Sequence, residues 1–199
     1  MAIAPDGRSL IGQFVRLDVA TDSDAQGLFA ALDHEEVWSS GYSGGPAARP
    51  KDQDGWKARM ATARGDGRIM YVVRRLDDEA QIIGTTCLGD TDVTNERTHI
   101  GWTAYEPDVW STTVNPECKL LLLRHAFEDC GLGRVKIQTD LINARSQAAI
   151  AKLGAVREGV LRRHMRRADG TFRDTVVFSV TIDDWPTVRP GLEARLVKG

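Results

Sequence analysis

A serine and an asparagine at the mouth of a short helix, and a histidine inside a strand, are the residues of this chain best suited to move protons or hold a polar ligand. The segment from Asp140 to Arg162 reads DLINARSQAAIAKLGAVREGVLR. Asn143 stands at the expected N-cap, where its amide oxygen can accept from an orphan N–H of the first helical turn. Ser146 lies in that same turn, where its hydroxyl can cap the helix. Ala148, Ala149, Ile150 and Leu153 form the apolar stripe that would anchor the helix, and Gly154 can take the left-handed conformation that ends it. His99 falls in an alternating segment, and an unperturbed imidazole titrates near neutral pH. It reads either as a proton acceptor or as a half-exposed strand residue. Tyr105 and Glu106, at the end of the same segment, are rival bases, and Glu106 can equally face solvent. His164 sits in a basic, loop-like stretch before Asp169-Gly170 and receives no role.

Composition narrows the field. The chain has 199 residues, 42% hydrophobic and 27% charged, which suits one soluble globular domain spanning residues 1–199. A net charge of −2 argues against a nucleic-acid surface, and Arg162-Arg163 and Arg166-Arg167 read as a solvated face. Cys87, Cys118 and Cys130 make neither a disulfide framework nor a metal-spaced pair, so no metal is expected. Reduced, buried thiols fit a cytoplasmic protein. The N-terminus lacks the pattern of a signal peptide, and no run approaches the roughly 20 apolar residues that span a bilayer, so no membrane partner is expected.

The elements that must position these residues follow from periodicity. Ile11 to Leu17 alternates as a first strand, and Thr21 to Asp24 supplies capping oxygens for a helix reaching Asp33. Ser39 to Pro50 is too rich in Gly and Pro for regular structure, and either shapes a pocket or merely connects. A second helix covers Lys51 to Arg64. Arg68–Arg75, a turn at Leu76–Ala80, Gln81–Leu88 and Arg97–Tyr105 make a three-strand meander. A helix starts at Asn115-Pro116 and is closed by Gly131. A strand through Val135, Ile137 and Thr139 precedes the Asn143 helix, and two strands end the series, one broken at Gly159 and one from Thr175 to Ile182. The order describes an α+β domain with a mixed, mostly antiparallel sheet and about four helices.

Asn143-x-x-Ser146, then Ala151-Lys152-Leu153-Gly154-Ala155, then Glu158-Gly159-Val160-Leu161-Arg162 resembles the signature of the GNAT acyltransferases, nearest the branch that holds the ribosomal-protein N-terminal acetyltransferases. The resemblance implies the GNAT fold, with a splayed parallel pair formed by Arg97–Tyr105 and Arg134–Thr139. It also implies transfer of an acetyl or other short acyl group from acetyl-CoA, or another short acyl-CoA, to a primary amine, small molecule or peptide, by direct attack in a ternary complex. Homodimers are common among such relatives. Backbone groups of Thr103, Ala104 and Tyr105 would hold the pantetheine arm whatever their side chains. Asn143 could bond a pantetheine amide, Ser146 would protonate the leaving thiolate, and His99 would be the base. Lys152 is either a contact for the donor's 3′-phosphate or a solvated helix lysine. Trp38 and Trp56 could line an acceptor pocket or pack in the core.

One stretch departs from the family. Its phosphate loop resembles W-G-x-G-x-x-x-E-A, whereas this chain has Trp110-Ser111-Thr112-Thr113-Val114-Asn115-Pro116-Glu117-Cys118. Both glycines are replaced, and a threonine at position 113 would be strained if positive φ were needed. Either Thr112, Thr113, Val114 and Asn115 form a remodelled cradle, or the domain is a catalytically silent module that has lost acyl-CoA binding.

Overall fold

A computed structural model describes residues 1–77 and 81–197. The strands are β1 (Leu10–Ile11), β2 (Val15–Val19), β3 (Ile69–Arg75), β4 (Ile82–Asp92), β5 (Arg97–Tyr105), β6 (Arg134–Asp140), β7 (Val156–Arg166) and β8 (Phe172–Thr181). They form one eight-stranded sheet in the order β1-β2-β3-β4-β5-β6-β8-β7. Every pairing is antiparallel except that of β5 with β6. The helices are α1 (Ala25–Leu32), α2 (Glu35–Ser39), α3 (Gln53–Gly65), α4 (Val114–Arg124), α5 (Ala144–Ala151) and α6 (Trp185–Leu196). This is the GNAT fold, a mixed sheet carrying one parallel pair.

Side chains alternate between two cores, as the pleat requires. Tyr71, Val73, Ile100, Ile137 and Val176 pack on the face covered by α4 and α6. Met70, Val72 and Cys87 pack on the opposite face with α1 and α3, where Trp38 and Trp56 are fully buried. The two tryptophans are therefore core residues. The meander, the central β6 and the Asn143 helix stand where their patterns place them, and Gly154 ends α5 at a φ of 90°.

Several boundaries differ from the sequence reading. Among the described residues there are six α-helices rather than four: α2 has only five residues, and α6 carries two prolines although Trp185, Val188 and Leu192 share one buried face. The first strand is two, since the chain turns between Ile11 and Val15. α4 begins at Val114 with Thr113 at its N-cap, so Asn115 and Pro116 lie inside the first turn. α4 runs on into a π turn over His125–Asp129 before Gly131 takes a φ of 64°. His164 belongs to β7 rather than to a loop, and donates to or accepts from Thr175 Oγ1 at 3.0 Å. The expected turn at Leu76–Ala80 lies partly outside the described residues.

One buried carboxylate ties α4 to the sheet edge. Glu117 accepts from the backbone N–H groups of Gln13, Phe14 and Val15 at 2.5, 2.8 and 2.8 Å. Gly12 leaves room for it, because a Cβ there would lie 2.4 Å from the Glu117 carboxyl carbon. Replacing Glu117 with Ala strands these donors. A loss of about 3 kcal/mol is expected, or a melting temperature lower by roughly 6–12 °C at this chain length. Glu117→Gln, which keeps one acceptor oxygen, should lose less. Differential scanning calorimetry checks both, and an unchanged Ala variant would refute the anchor.

Candidate active site

The parallel pair opens partway along. β5 and β6 are joined from Arg97–Arg134 to Ile100–Ile137 and no further. Beyond that point β5 bulges: Cys87 faces Gly101 and Thr85 faces Ala104, so Thr86 opposes both Trp102 and Thr103. Trp102 takes a φ of 49°, and the extra residue swings β5 away from its parallel neighbour. A cavity of about 610 Å³ enters at this fork. It runs from Tyr42 and Arg173 past His99 to Asn115, Ser146 and Lys152.

His99 is buried on this wall, not half-exposed. Its Nδ1 lies 3.2 Å from Asp90 Oδ2, which also receives Lys136 Nζ at 3.0 Å. The hydrogen bond from His99, together with Lys136, holds the Asp90 carboxyl well below its ordinary range, so Asp90 is ionised and can only accept. Nδ1 therefore carries the proton, and Nε2 keeps its lone pair. Nε2 is buried and has no partner among the described residues. Burial lowers the imidazole's pKa below 6.5, against the opposing pull of Asp90. Gly101 makes the position possible, since a Cβ there would approach the His99 ring to 2.7 Å.

Opposite the bulge stands a residue that sequence reasoning missed. Lys119, on α4, is buried and lines the cavity. Its Nζ donates to Thr103 Oγ1 at 2.8 Å and reaches Thr86 Oγ1 at 3.5 Å, while the two hydroxyls lie 2.8 Å apart. No carboxylate pairs with it among the described residues, and burial pushes its pKa down to about 8. Thr103 thus contributes through its side chain as well as its backbone. Lys119 stands four residues before Leu123, on the apolar face of α4, and that spacing was the available signal.

The loop ahead of α4 makes its turn without glycine. Ser111 carries the positive φ, 65°, while Thr113 sits at −71° and is unstrained. The strain expected at Thr113 falls two residues earlier, on a smaller side chain. Thr112 turns its hydroxyl inward, donating to Val109 O at 2.7 Å and accepting from Val114 N–H at 3.3 Å. Among the described residues the N–H groups of Thr113 and Asn115 have no partner. Trp110 donates to Tyr105 O at 2.9 Å, and Arg145 from α5 stacks on its ring at 3.5 Å. One carbonyl of the expected pantetheine strand is thereby already engaged.

Across the cavity, Asn143 caps α5 by accepting from Ser146 N–H at 2.9 Å. Asn143 and Ser146 both border the cavity. Lys152 is exposed at the far end of α5 but also borders the cavity. Ala104 and Tyr105 line it, whereas Glu106 does not; burial raises the Glu106 carboxyl.

A sheet whose single parallel pair parts beside a cavity, with helix N-termini on its wall, is the arrangement of the GNAT acetyltransferase domain. The chain belongs to that family: residues 15–156 match the acetyltransferase (GNAT) domain. It is 28% identical over 165 residues to the uncharacterized N-acetyltransferase YoaA of Bacillus subtilis (strain 168), covering 80% of this chain and 89% of that one. An acetyltransferase-family structure from T. thermophilus is 34% identical, with a TM-score of 0.84, covering 98% of this chain and 100% of its own. Mycobacterium smegmatis RimJ, solved with CoA-disulfide, shares the fold at 17% identity and a TM-score of 0.80, covering 96% and 95%.

The buried Lys119 has a measurable signature. Its folded-state pKa is lowered from 10.5 to about 8. Below pH 8 both folded and unfolded amines are charged and the burial cost is felt in full. Between pH 8 and 10.5 the folded state sheds its proton first, so this contribution to stability rises with pH. The stability difference between wild type and Lys119→Met should therefore shift toward wild type across that window, by at most on the order of 3 kcal/mol. Urea denaturation of both proteins at about pH 7.5 and about pH 10, on either side of most of that window, checks it. A constant difference would mean that the folded amine titrates as it does in the unfolded chain, and so is solvated rather than buried.

Proposed function

We propose that this chain is an N-acyltransferase that moves an acetyl or other short acyl group from coenzyme A to a primary amine by direct attack in a ternary complex. The observation that carries the reading is the buried, unpartnered Nε2 of His99 on the wall of the cavity that opens where β5 and β6 part. The residues present suit the donor. The backbone from Thr103 to Tyr105, released from β6, would run beside its pantetheine arm, joined by the Asn143 amide. The free N–H groups of Thr113 and Asn115 at the positive end of α4 would meet its pyrophosphate, with Thr112 and Val114 shaping that turn. Once bound, the donor supplies a thioester carbonyl.

The remaining work falls to side chains. His99 Nε2 takes the proton that the attacking ammonium must lose, and Asp90 holds the resulting imidazolium in place. As the new C–N bond forms and the C–S bond breaks, the nitrogen gives up its second proton, which the Ser146 hydroxyl takes up as it delivers its own to the departing sulfur. No cysteine competes as nucleophile. None of the three borders the cavity, and burial pushes the Cys87 and Cys118 thiols up to about 12. These three reduced thiols also support a cytoplasmic location.

Donor binding comes first. Acetyl-CoA at about 100 times its dissociation constant adds roughly 2.7 kcal/mol, so the melting temperature should rise by about 5–10 °C. No rise with any acyl-CoA would favour the silent module.

Turnover then tests the roles. His99→Gln should lower kcat by about 10²-fold or more with the KM for acetyl-CoA unchanged. The wild-type acid limb of kcat/KM should have its midpoint below pH 6.5, following the lowered His99 pKa, and the variant should lack it. Ser146→Ala should reduce kcat more than donor binding. Equal turnover in either variant would remove that residue from the mechanism.

A further inference from the structure

The acceptor half of the cavity has a charge pattern of its own. Alternation along the strands decides which residues share it. Ile100, Ile137, Val176 and Phe178 pack on the α4 side, so His99, Asp140, Arg173 and Thr175 face the other way, toward α1 and α3. His99 presents its free nitrogen on this side, the side from which an amine would approach.

Two arginines border the cavity here with opposite circumstances. Arg167 is spoken for: its Nη2 lies 2.9 and 2.8 Å from the two oxygens of the buried Asp140, and its Nε 3.0 Å from one of them. The Arg173 side chain has no hydrogen bond or ion pair among the described residues, and its Nε is buried without a partner. Arg173 stands opposite Met165 in the β7–β8 ladder, beyond the end of β6, where β6 no longer covers it. Burial lowers its pKa, opposed by the charge of Asp140, with the nearby Arg167 adding to the lowering. Arg166, also on the rim, stacks over Phe172. Among the described residues the only carboxylate bordering the cavity, Asp140, is already neutralised by Arg167.

A guanidinium left in this state lacks two things: an anion of its own, since the neighbouring Asp140 is held by Arg167, and the oxygen acceptors that would satisfy its fork. A polyamine or aminoglycoside cannot supply either, and would bring a second ammonium against Arg166 and Arg173. Resting on the acyltransferase reading above, we propose that the acceptor is a primary amine bearing an anionic group, a carboxylate or a phosphate, and that Arg173 binds that group. Arg173 would thus orient the amine toward His99 without touching the reacting atoms.

The test is a set of matched acceptors assayed by thiol release with acetyl-CoA: amino acids beside their amides and decarboxylated amines, phosphoethanolamine beside ethanolamine, and spermidine and kanamycin as polycations. The preferred wild-type acceptor should be anionic, and the carboxylate and phosphate arms tell which group it carries. Arg173→Gln should raise its KM by at least about tenfold, the lower end of what a hydrogen bond to a charged group contributes. Its kcat and the KM for acetyl-CoA should stay near wild type, and Arg173→Lys should recover part of the loss. A preference for neutral or polycationic amines, or an equal fall in kcat, would overturn the proposal.

A second measurement stands apart from turnover. Inorganic phosphate, compared with chloride at matched ionic strength, should raise the melting temperature of wild type more than that of Arg173→Gln; equal shifts would overturn the proposal. If that difference is found while acetyl-CoA neither binds nor reacts, the anion site holds and the acyltransferase reading falls.

Discussion

The separation of β5 from β6 after Ile100 and Ile137 is the constraint on which the rest of the molecule depends. A parallel pair left to itself would continue its ladder, because unpaired backbone groups are costly away from water. The bulge at Trp102 and Thr103 prevents this by adding a residue to β5 and a left-handed turn of the backbone. Such a conformation costs on the order of 1–3 kcal/mol for a non-glycine residue, and the surroundings offset it. The Trp102 ring lies against the His99 ring at 4.9 Å and beneath the Arg68 guanidinium at 4.2 Å. The strained residue and the candidate base are thus packed as one unit.

α4 transmits this geometry across the sheet. Three successive buried residues of a single turn have three separate partners: Glu117 holds the backbone ahead of β2, Cys118 enters the core, and Lys119 sits on the hydroxyls of the bulge. A helix fixed at both ends of that turn has little freedom to rotate. Its N-terminus, with the unpartnered N–H groups of Thr113 and Asn115, is aimed at the cavity by contacts made one turn further on. The burial of Lys119 without a carboxylate is a cost to stability, and it places a cation beside the stretch of β5 that β6 leaves open.

The sequence made the sheet and the α5 motif legible because their signals are local. Alternation identifies β3, β5 and β6, and Asn143, Ser146 and Gly154 mark α5 through caps whose chemistry is contained in a few residues. What stayed hidden depends on partners that strand pairing and tertiary packing bring together rather than on local periodicity. Asp90 and His99 meet across β4 and β5, Lys119 meets Thr86 and Thr103 through tertiary packing, and Asp140 at the end of β6 meets Arg167 in the β7–β8 turn. No window of sequence contains either half of such a pair together with its reason. The loop at Ser111 failed for another cause. A family pattern names the positions where glycine is common, but only the backbone shows which of them needs positive φ. Here that is Ser111, while Thr113 is an ordinary cap position.

The net charge of −2 hides a strongly polarised interior. Lys119, Arg145, Lys152, Arg166, Arg167, Arg173 and Arg195 all border the cavity, against Asp140 alone among the described residues. The proposed polyanionic donor would account for the cations near α4 and α5, where Arg145, Lys152 and Arg195 stand, and Arg195 is itself tied to the Lys152 carbonyl. It does not account for Arg173, which lies on the opposite side of the sheet, near the tip of the β7–β8 hairpin. Two separated groups of positive charge in one continuous cavity imply two anionic demands, one for each end of the fork. The neutral imidazole of His99 lies between them, and burial beside Lys136 and Lys119 keeps it uncharged at neutral pH. A field that discourages imidazolium also lowers the pKa of an incoming ammonium, so the charges that would select an anionic acceptor also favour its reactive, unprotonated form.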